Sequence, residues 1–304
     1  MATHDYAIYI DSCSDLPWSY CQEADLKVLQ FTYTDRKDPE NGLSGIDDMF
    51  STISARDVYG AMRKGAEPMT AQLTQVQFED MFNEIVDSGK PGVFLCFTSG
   101  LSSTFDNASL ALDRFVAERG AASAAELGIY LVDTKQACIP EGLLCMEAAQ
   151  QRDRGLSASE LAAWAEDARA RIHCMFMVED LDTLHRGGRI PASVALVGTK
   201  LDVKPLLTID AEGKLAVIGV ARGRKKGIRR LAEAYIKGCS EEGRAKPVFV
   251  GGADCDGDVK RLCNLVRKEN ETALIYEMNV GPVIGSHVGP GMIAITWWGE
   301  SRSK

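Results

Sequence analysis

The chain of 304 residues lacks the long apolar runs that place a protein in a membrane. No run approaches the roughly 20 residues that a spanning helix requires. The first residues, MATHDYAIYID, contain neither the basic stretch nor the long apolar stretch of a secretion signal. We therefore expect a protein that is neither membrane-spanning nor secreted.

Signals for paired cysteines are missing as well. The nine cysteines are an odd number, no two of them form a C-x-x-C pair, and several lie in apolar runs such as VFLCF and HCMFMV. Buried, reduced thiols in a cytoplasmic protein are therefore predicted, rather than a disulfide framework or a cysteine metal site.

Cofactor motifs and excess positive charge are also absent. The sequence contains no P-loop, no dinucleotide fingerprint and no H-E-x-x-H motif. We therefore expect no metal, no cofactor and no ATP binding by this chain alone. The net charge of −9 argues against nucleic acid as the main partner, because a phosphate backbone requires a basic face.

What the sequence does contain is the composition of a globular protein, with 45% apolar and 25% charged residues. In the first half, short apolar runs at 7–10, 28–33, 92–97 and 128–132 alternate with amphipathic stretches. Apolar residues at helical spacing predict helices over 75–88 and 103–118. The alternation predicts an α/β fold with a mainly parallel sheet covered by helices.

The second half mixes predicted strands and helices and begins after a break at Gly155. Ser157 can cap a helix over 158–171, because Glu160 follows three residues later. We place a boundary there, between an N-terminal α/β domain (1–154) and a C-terminal mixed α/β domain (155–304). The stretch PLLTIDAEGKLAVIGV predicts an antiparallel hairpin that turns at Ala-Glu-Gly.

The segment FTSGLSSTFDNA, residues 97–108, follows an apolar run and begins a predicted helix. Free backbone N–H groups, the helix dipole and several hydroxyls would converge there, which suits a carboxylate or a phosphate. Ser102 is the main candidate, with Ser99 and Gly100 as candidate lining residues. A simple helix cap at Ser102 fits the pattern about equally well, and the two roles can coexist.

Polar residues also follow the first strand in IDSCSDLP, where Asp11, Ser12, Ser14 and Asp15 cluster. The carboxyl end of a strand in an open α/β sheet is a usual place for a ligand crevice. Ser12 is therefore a further candidate lining residue, although the same residue types are equally typical of a turn.

His287 lies in VGPVIGSHVGPG, among glycines and prolines that are expected to leave little helix or strand around it. We therefore favour a ligand-binding or catalytic role for this histidine over a structural one.

Two arginines lie in basic settings of this acidic chain. Arg189 follows a Gly-Gly bend, and Arg222 belongs to the basic run ARGRKKGIRR. Most of these charges are expected to be solvated. Arginine is nevertheless suited to bidentate contact, so Arg189 and Arg222 could recognise an anion or a protein partner.

Seven segments, in order, resemble the landmarks of the DegV family: IYIDSCSDLP, MTAQLTQVQF, FTSGLSSTFDNA, VDTKQAC followed by IPEG, LHRGGRIPASVALVGTKLDVKPLLTIDAEGKL, VARGRKKGIRRL and VGPVIGSHVGPG. They span nearly the whole chain. The resemblance implies a two-domain α/β fold with a fatty acid enclosed in a tunnel between the domains. It also implies the fatty-acid-binding subunit of a bacterial fatty acid kinase, in which a separate ATP-dependent kinase phosphorylates the carried acid for phospholipid synthesis.

Residue roles follow from the same resemblance. It implies that the carboxylate of a long-chain fatty acid contacts Thr70, Ser102 and His287, and that Arg189 and Arg222 engage the kinase. The chain would be a carrier without a catalytic residue of its own. Such a role also allows an acyltransferase as a further partner and a transient contact with a membrane.

Two other functions stay open at this point. Ser102 and His287 could be the nucleophile and base of an acyl hydrolase, although Gly-Leu-Ser-Ser-Thr lacks the G-x-S-x-G elbow. The chain could also carry or sense another small acid without a kinase partner. Leu73 and Ser103 stand where the family pattern has a proline and a glycine, and these departures could reshape the mouth of the tunnel.

Overall fold

The computed structural model describes residues 4–191 and 202–302, so ASVALVGTKL, in the middle of the segment LHRGGRIPASVALVGTKLDVKPLLTIDAEGKL, lies outside the description. In chain order the strands are β1 Ala7–Asp11, β2 Leu26–Leu29, β3 Thr32–Asp35, β4 Gly45–Ile46, β5 Pro68–Ala71, β6 Gly92–Cys96, β7 Ile129–Asp133, β8 Ile172–Met177, β9 Val203–Ile209, β10 Leu215–Arg222, β11 Val248–Gly252, β12 Ile275–Asn279 and β13 Ile293–Trp298. The helices are α1 Trp18–Glu23, α2 Ala55–Arg63, α3 Gln75–Ser88, α4 Thr104–Arg119, α5 Ile139–Asp153, α6 Ala158–Ala168, α7 Asp182–Arg186, α8 Arg224–Gly238, α9 Asp256–Glu269 and α10 Pro282–Val288.

The first half builds a parallel sheet with the strand order β2-β1-β6-β7. All residues of β6 are buried, as is typical of a strand covered on both faces. Helix α3 packs on this sheet through Phe78, whose ring centroid lies 6.4 Å from that of Phe94 in β6. The predicted parallel sheet is confirmed, and so is the predicted helix over residues 75–88.

The second half builds a mixed sheet with the order β10-β9-β8-β13-β11-β12. Among the described strands of this sheet, every pairing is antiparallel except that of β11 with β12. Ile228 and Leu231 of α8 pack in an apolar cluster with Met177 of β8. Helix α5 contacts β8, β11 and β13 and also packs on α6, and it is therefore buried along most of its length.

A small antiparallel sheet, β4-β3-β5, has no counterpart in the sequence prediction. The single strand expected over 28–33 is wrong, because β2 ends at Leu29 and β3 begins at Thr32 in a different sheet. Between them, the backbone N–H of Phe31 donates to Ser12 Oγ at 3.1 Å. This break matters for the site, since β3 pairs with β5 and holds Thr70 opposite Tyr33.

Local signals of the second half are largely as expected. Ser157 and Glu160 form the predicted capping box, although α6 ends at Ala168 and continues only as a 3-10 turn. Helix α6 contacts β6 and β7 of the first sheet, and the boundary between residues 154 and 155 stays a prediction. The β9–β10 hairpin and the mixed α/β fold class are confirmed. Within the described ranges, no helix has both the length and the apolarity to cross a membrane.

Candidate functional site

A cavity of about 690 Å³ is lined by residues from both halves of the chain. Its walls are mostly apolar, and they come from loops that follow strands of the first sheet, from β5, from the mixed sheet and from α10. Representative wall residues are Phe31, Phe97, Phe176, Ile209, Val283 and Met292. A cavity of this volume with apolar walls is typical of a small-molecule site.

Polar side chains interrupt this apolar lining at a few points. They belong to Thr70, Gln72, Ser99, Ser102, Ser103, Arg189 and His287. The structure therefore brings the three predicted carboxylate-binding residues, Thr70, Ser102 and His287, to the same cavity. They come from β5, from the loop before α4 and from α10, so only the tertiary fold makes them neighbours.

Thr70 and His287 form a direct hydrogen bond, with Oγ1 and Nε2 2.9 Å apart. Strand β5 holds Thr70 by its pairing with β3, and α10 packs against β5. The start of α10 is held by Tyr59 of α2, whose hydroxyl donates to the carbonyl of Val280 at 2.6 Å. The pair is thus fixed by two separately anchored elements.

His287 lies in the last turn of α10, which corrects the expectation that little helix surrounds it. Burial, and secondarily the charge of Arg189, lowers its pKa from the usual 6.5 to about 4. The imidazole is therefore neutral near pH 7. Its Nδ1 has no hydrogen-bond partner among the described residues, and Gly187 packs so close that a Cβ there would lie 2.5 Å from Nδ1.

Ser102 combines the two roles that its sequence position allows. Its Oγ accepts the backbone N–H of Thr104 at 3.2 Å and lies 2.8 Å from Thr104 Oγ1, at the first residue of α4. Ser103, the residue immediately before the helix, makes no side-chain capping bond. Ser102 is therefore a capping residue that also lines the cavity.

The two candidate arginines occupy different environments. Arg189 is partly buried, lines the cavity and donates to the carbonyl of Gly187. It has no carboxylate partner among the described residues, and residues 192–201 contain no Asp or Glu in their sequence. Arg222, in contrast, is exposed at the end of β10. The structure therefore does not place these arginines on one common surface of the cavity.

Comparison with known proteins assigns the family. The profile of the DegV family, whose members are described as uncharacterised, matches residues 5–300. A DegV domain-containing protein of Clostridium perfringens is 30% identical over 297 residues, covering 98% of both chains. The chain belongs to the DegV family.

Two solved structures resemble this DegV protein over nearly its full length. A DegV lipid-binding protein of Thermotoga maritima is 25% identical with a TM-score of 0.81, covering 98% of this chain and 99% of its own. A DegV family protein of Thermus thermophilus, described as binding fatty acid, is also 25% identical with a TM-score of 0.81, covering 98% of this chain and 100% of its own.

The three remaining candidate lining residues of this DegV protein, Ser99, Ser12 and Gly100, differ in their position relative to the cavity. Ser99 lines the cavity, where its Oγ donates to Asp133 at 2.5 Å and accepts from Lys135 at 2.8 Å. Ser12 and Gly100 are not among the described residues that line the cavity. Ser12 is fully buried and accepts the N–H of Phe31, while Gly100 packs against the turn at Gly213.

Asp11 and Asp15, which the sequence places in one polar cluster, belong to a larger group of buried carboxyls near the cavity wall, and the sequence did not predict that Asp47 and Glu141 would join it. Asp11, Asp15, Asp47 and Glu141 are all nearly inaccessible, and none of them has a basic partner among the described residues. Asp11 accepts the N–H groups of Cys13 at 3.0 Å and Phe97 at 2.8 Å, two residues of the cavity wall. Burial raises the pKa of Asp11 and of Asp47 to about 7.

Possible metal ligands and cysteines of this DegV chain were located in its described part. Within it, no group of three or more His, Cys, Asp and Glu side chains could hold a metal ion. All nine cysteines lie in the described ranges and are free thiols. Burial raises the pKa of Cys138, a cysteine of the cavity wall, well above its usual value, which opposes formation of a reactive thiolate.

Proposed function

We propose that this DegV protein binds a long-chain fatty acid, with the acyl chain in the apolar cavity and the carboxyl group at Thr70, Ser102 and His287. The observation that carries the proposal is a cavity of about 690 Å³ whose apolar walls are interrupted by the hydrogen-bonded Thr70–His287 pair. The fatty-acid binding described for the Thermus thermophilus relative, and the lipid binding described for the Thermotoga maritima relative, support it.

The energetics of such a ligand are favourable at both ends. Each methylene that leaves water contributes about 0.8 kcal/mol, so a chain of about 16 carbons has ample driving force to enter a dry cavity. The carboxyl group costs free energy unless hydrogen bonds and a countercharge accompany it. The hydroxyls of Thr70 and Ser102 and the imidazole of His287 supply hydrogen-bonding groups, and charge-assisted bonds of this kind are strong.

Arg189 is the residue best placed to supply the countercharge. Among the described residues that line the cavity it is the only lysine or arginine, and His287 beside it is neutral near pH 7. A half-buried guanidinium without a carboxylate partner is suited to an anion. We therefore assign Arg189 to the ligand head group, and leave contact with a protein partner to the exposed Arg222.

The role that follows is that of a carrier, and we propose that the chain presents its fatty acid to a separate ATP-dependent kinase in the cytoplasm. The resulting acyl phosphate would feed phospholipid synthesis. The sequence offers no nucleotide-binding motif of its own, and Arg222 lies exposed beside a basic helix start at Lys225 and Lys226. Free thiols throughout the chain agree with a reducing compartment.

The hydrolase alternative has weaker geometric support. A serine nucleophile needs its hydroxyl within hydrogen-bond reach of the general base. The described partner of the Ser102 hydroxyl is Thr104, and the described partner of His287 Nε2 is Thr70. We therefore favour a carrier without a catalytic residue.

Native mass spectrometry of the gently purified protein tests the proposal. We expect a co-purified fatty acid and, after its removal, calorimetric binding of a long-chain fatty acid but much weaker binding of its methyl ester. The ester has the same chain and lacks the negative charge, so it is a matched control for the head group. A protein that neither retains nor binds any fatty acid would contradict the proposal.

A further inference from the structure

The β9–β10 hairpin forms one edge of the mixed sheet. Strand β9 pairs with β10 along its whole length, from Val203 to Ile209. Its ladder with β8 pairs Leu206 with Met177 and Leu207 with Phe176. The far part of the hairpin, residues 208–215, is joined internally by a regular ladder, and side-chain bonds of Thr208 and Arg302 hold its first residues to the neighbouring structure.

This far part forms one wall of the cavity. Ile209 and Leu215, the two residues on either side of the turn, both line it. The opposite wall includes Phe97, Leu101 and Ser102, which belong to the loop between β6 and α4. The hairpin and this loop therefore meet over the ligand space.

The turn of the hairpin rests directly on that loop. Thr98 Oγ1 donates to the carbonyl of Gly213 at 3.1 Å. Gly100 packs so closely that a Cβ at this position would lie 2.4 Å from the Gly213 carbonyl oxygen and 2.8 Å from that of Glu212. A glycine at 100 is thus what allows the turn to close onto the loop.

Other hydrogen bonds hold the base of the hairpin, whereas Thr98 binds its turn. Thr208 Oγ1 donates to the carbonyl of Cys174 at 2.7 Å. Arg302 donates to the carbonyl of Ile209 at 2.6 Å and to that of Asp210 at 3.0 Å. Arg302 therefore holds the start of the turn at Asp210, and the bond from Thr98 holds its far side at Gly213 to the loop before α4.

We propose that the β9–β10 hairpin is the gate of the cavity, that its turn opens about the base held by Thr208 and Arg302, and that Thr98 and Gly100 form the latch that closes it. The proposal rests on the proposed function in one respect, since the cargo that passes the gate is an acyl chain. Gly100 does not line the cavity, and its close approach to the turn gives this glycine a role in closing the gate.

A gate has a kinetic signature that a fixed wall lacks. If ligand enters and leaves only through the open state, weakening the latch raises the association and dissociation rates together and leaves the Kd unchanged. If the hairpin is only a wall that contacts the acyl chain, a change there raises the dissociation rate alone and weakens the Kd.

The first test replaces Thr98 by valine, which removes the hydroxyl and keeps the branched shape. Rates are measured by stopped-flow binding of a fluorescent long-chain fatty acid and by its displacement with excess unlabelled acid. We expect both rates to rise by about threefold to tenfold, the size of one net hydrogen bond, with an unchanged Kd. Thr98→Ser keeps the hydroxyl and should return both rates to those of the wild type.

The second test wedges the latch open. Gly100→Ala places a methyl group against the Gly213 and Glu212 backbone, so the turn must move away. We expect both rates to rise again in parallel. Gly257→Ala is the matched control, because Gly257 is an exposed helical glycine at which a Cβ meets nothing within 4 Å.

Two outcomes would overturn the gate while the proposed function stands. In one, the wild type binds fatty acid but Thr98→Val and Gly100→Ala leave both rates unchanged. In the other, the dissociation rate alone rises and the Kd weakens. If the wild type binds no fatty acid, the proposed function fails separately. Hydrogen–deuterium exchange then decides the gate, which is wrong if amides of residues 208–215 exchange no faster in Thr98→Val than in Thr98→Ser.

Discussion

Thr70 Oγ1 and His287 Nε2 lie 2.9 Å apart, although 217 positions separate the two residues in the chain. The pair joins β5 of the small sheet to the last turn of α10. Because both residues line the cavity and the imidazole is neutral near pH 7, the pair can offer hydrogen bonds to a ligand without a charge of its own. The charge for an anionic ligand must come from a third residue.

Ser102→Ala should weaken fatty-acid retention. A hydrogen bond to a charged group contributes roughly 1.5–3 kcal/mol, so we expect retention to fall roughly 10- to 150-fold in calorimetric titration. Ser109→Ala is the control, because Ser109 lies on the same helix and its hydroxyl donates to the carbonyl of Phe105. Equal affinities in the two variants would remove Ser102 from the site.

Gly187→Ala should weaken binding from a position outside the cavity lining. The new methyl group would lie 2.5 Å from His287 Nδ1 and would displace the ring from Thr70. One neutral hydrogen bond corresponds to about 1 kcal/mol, so we expect roughly a fivefold loss of affinity by calorimetry. Gly60→Ala in α2, where a Cβ meets nothing within 4 Å, should bind as the wild type does. An unaffected Gly187→Ala would mean that the ring position is not critical.

His287 should stay neutral well below neutral pH. Its folded pKa is lowered to about 4 from the usual 6.5. Between these values the unfolded state binds a proton that the folded state does not, so the contribution of His287 to stability falls as the pH falls from about 6.5 to 4. Imidazole ¹⁵N shifts should show no titration above pH 5. In Arg189→Gln the pKa should rise, because the nearby positive charge is gone, whereas Arg222→Gln should leave it unchanged. A His287 midpoint near 6.5 in the wild type would contradict this account.

Arg189→Gln and Arg222→Gln should have different effects. If Arg189 neutralises the carboxylate, Arg189→Gln should lower the fatty acid co-purified in native mass spectrometry at least tenfold, with little change for the methyl ester. Arg222→Gln should retain its lipid and slow phosphorylation by the cognate kinase, because exposed charges act mainly on encounter between partners. Normal lipid retention in Arg189→Gln would mean that Arg189 contacts the protein partner and not the carboxylate.

Asp47→Asn should change the pH dependence of stability. Burial raises the pKa of Asp47 to about 7, whereas an unfolded Asp titrates near 4. The folded state holds a proton in this window, so the contribution of Asp47 falls as the pH rises from about 4 to 7 and is constant above it. Relative to the wild type, the melting temperature of Asp47→Asn should be higher at pH 8 than at pH 5. Asp113→Asn on the exposed side of α4 should show no such difference, and a flat difference for Asp47→Asn would refute the argument.

Elements with a local physical cause were predictable from the sequence. Apolar residues at helical spacing defined α3, the capping box at Ser157 defined the start of α6, and a Gly-containing turn defined the β9–β10 hairpin. These features depend on residues a few positions apart, and the energies that fix them act within one turn or one ladder. The resemblance in sequence also placed Thr70, Ser102 and His287 in one candidate site.

Features that depend on distant contacts were decided only by the tertiary structure. The sequence predicts one strand over 28–33, but the backbone leaves the sheet after Leu29 because Phe31 bonds to Ser12 and β3 pairs with β5. The sequence predicts that Gly100 lines the ligand site. In the structure it packs against Gly213, a residue of a hairpin more than 100 positions later in the chain. Arg189 and Arg222 both lie in basic sequence settings, but they differ in burial, because only Arg189 lies against the cavity. Local pattern fixes which elements form, whereas burial and pairing between distant elements fix which side chains meet, and it is that second set of contacts that makes the site.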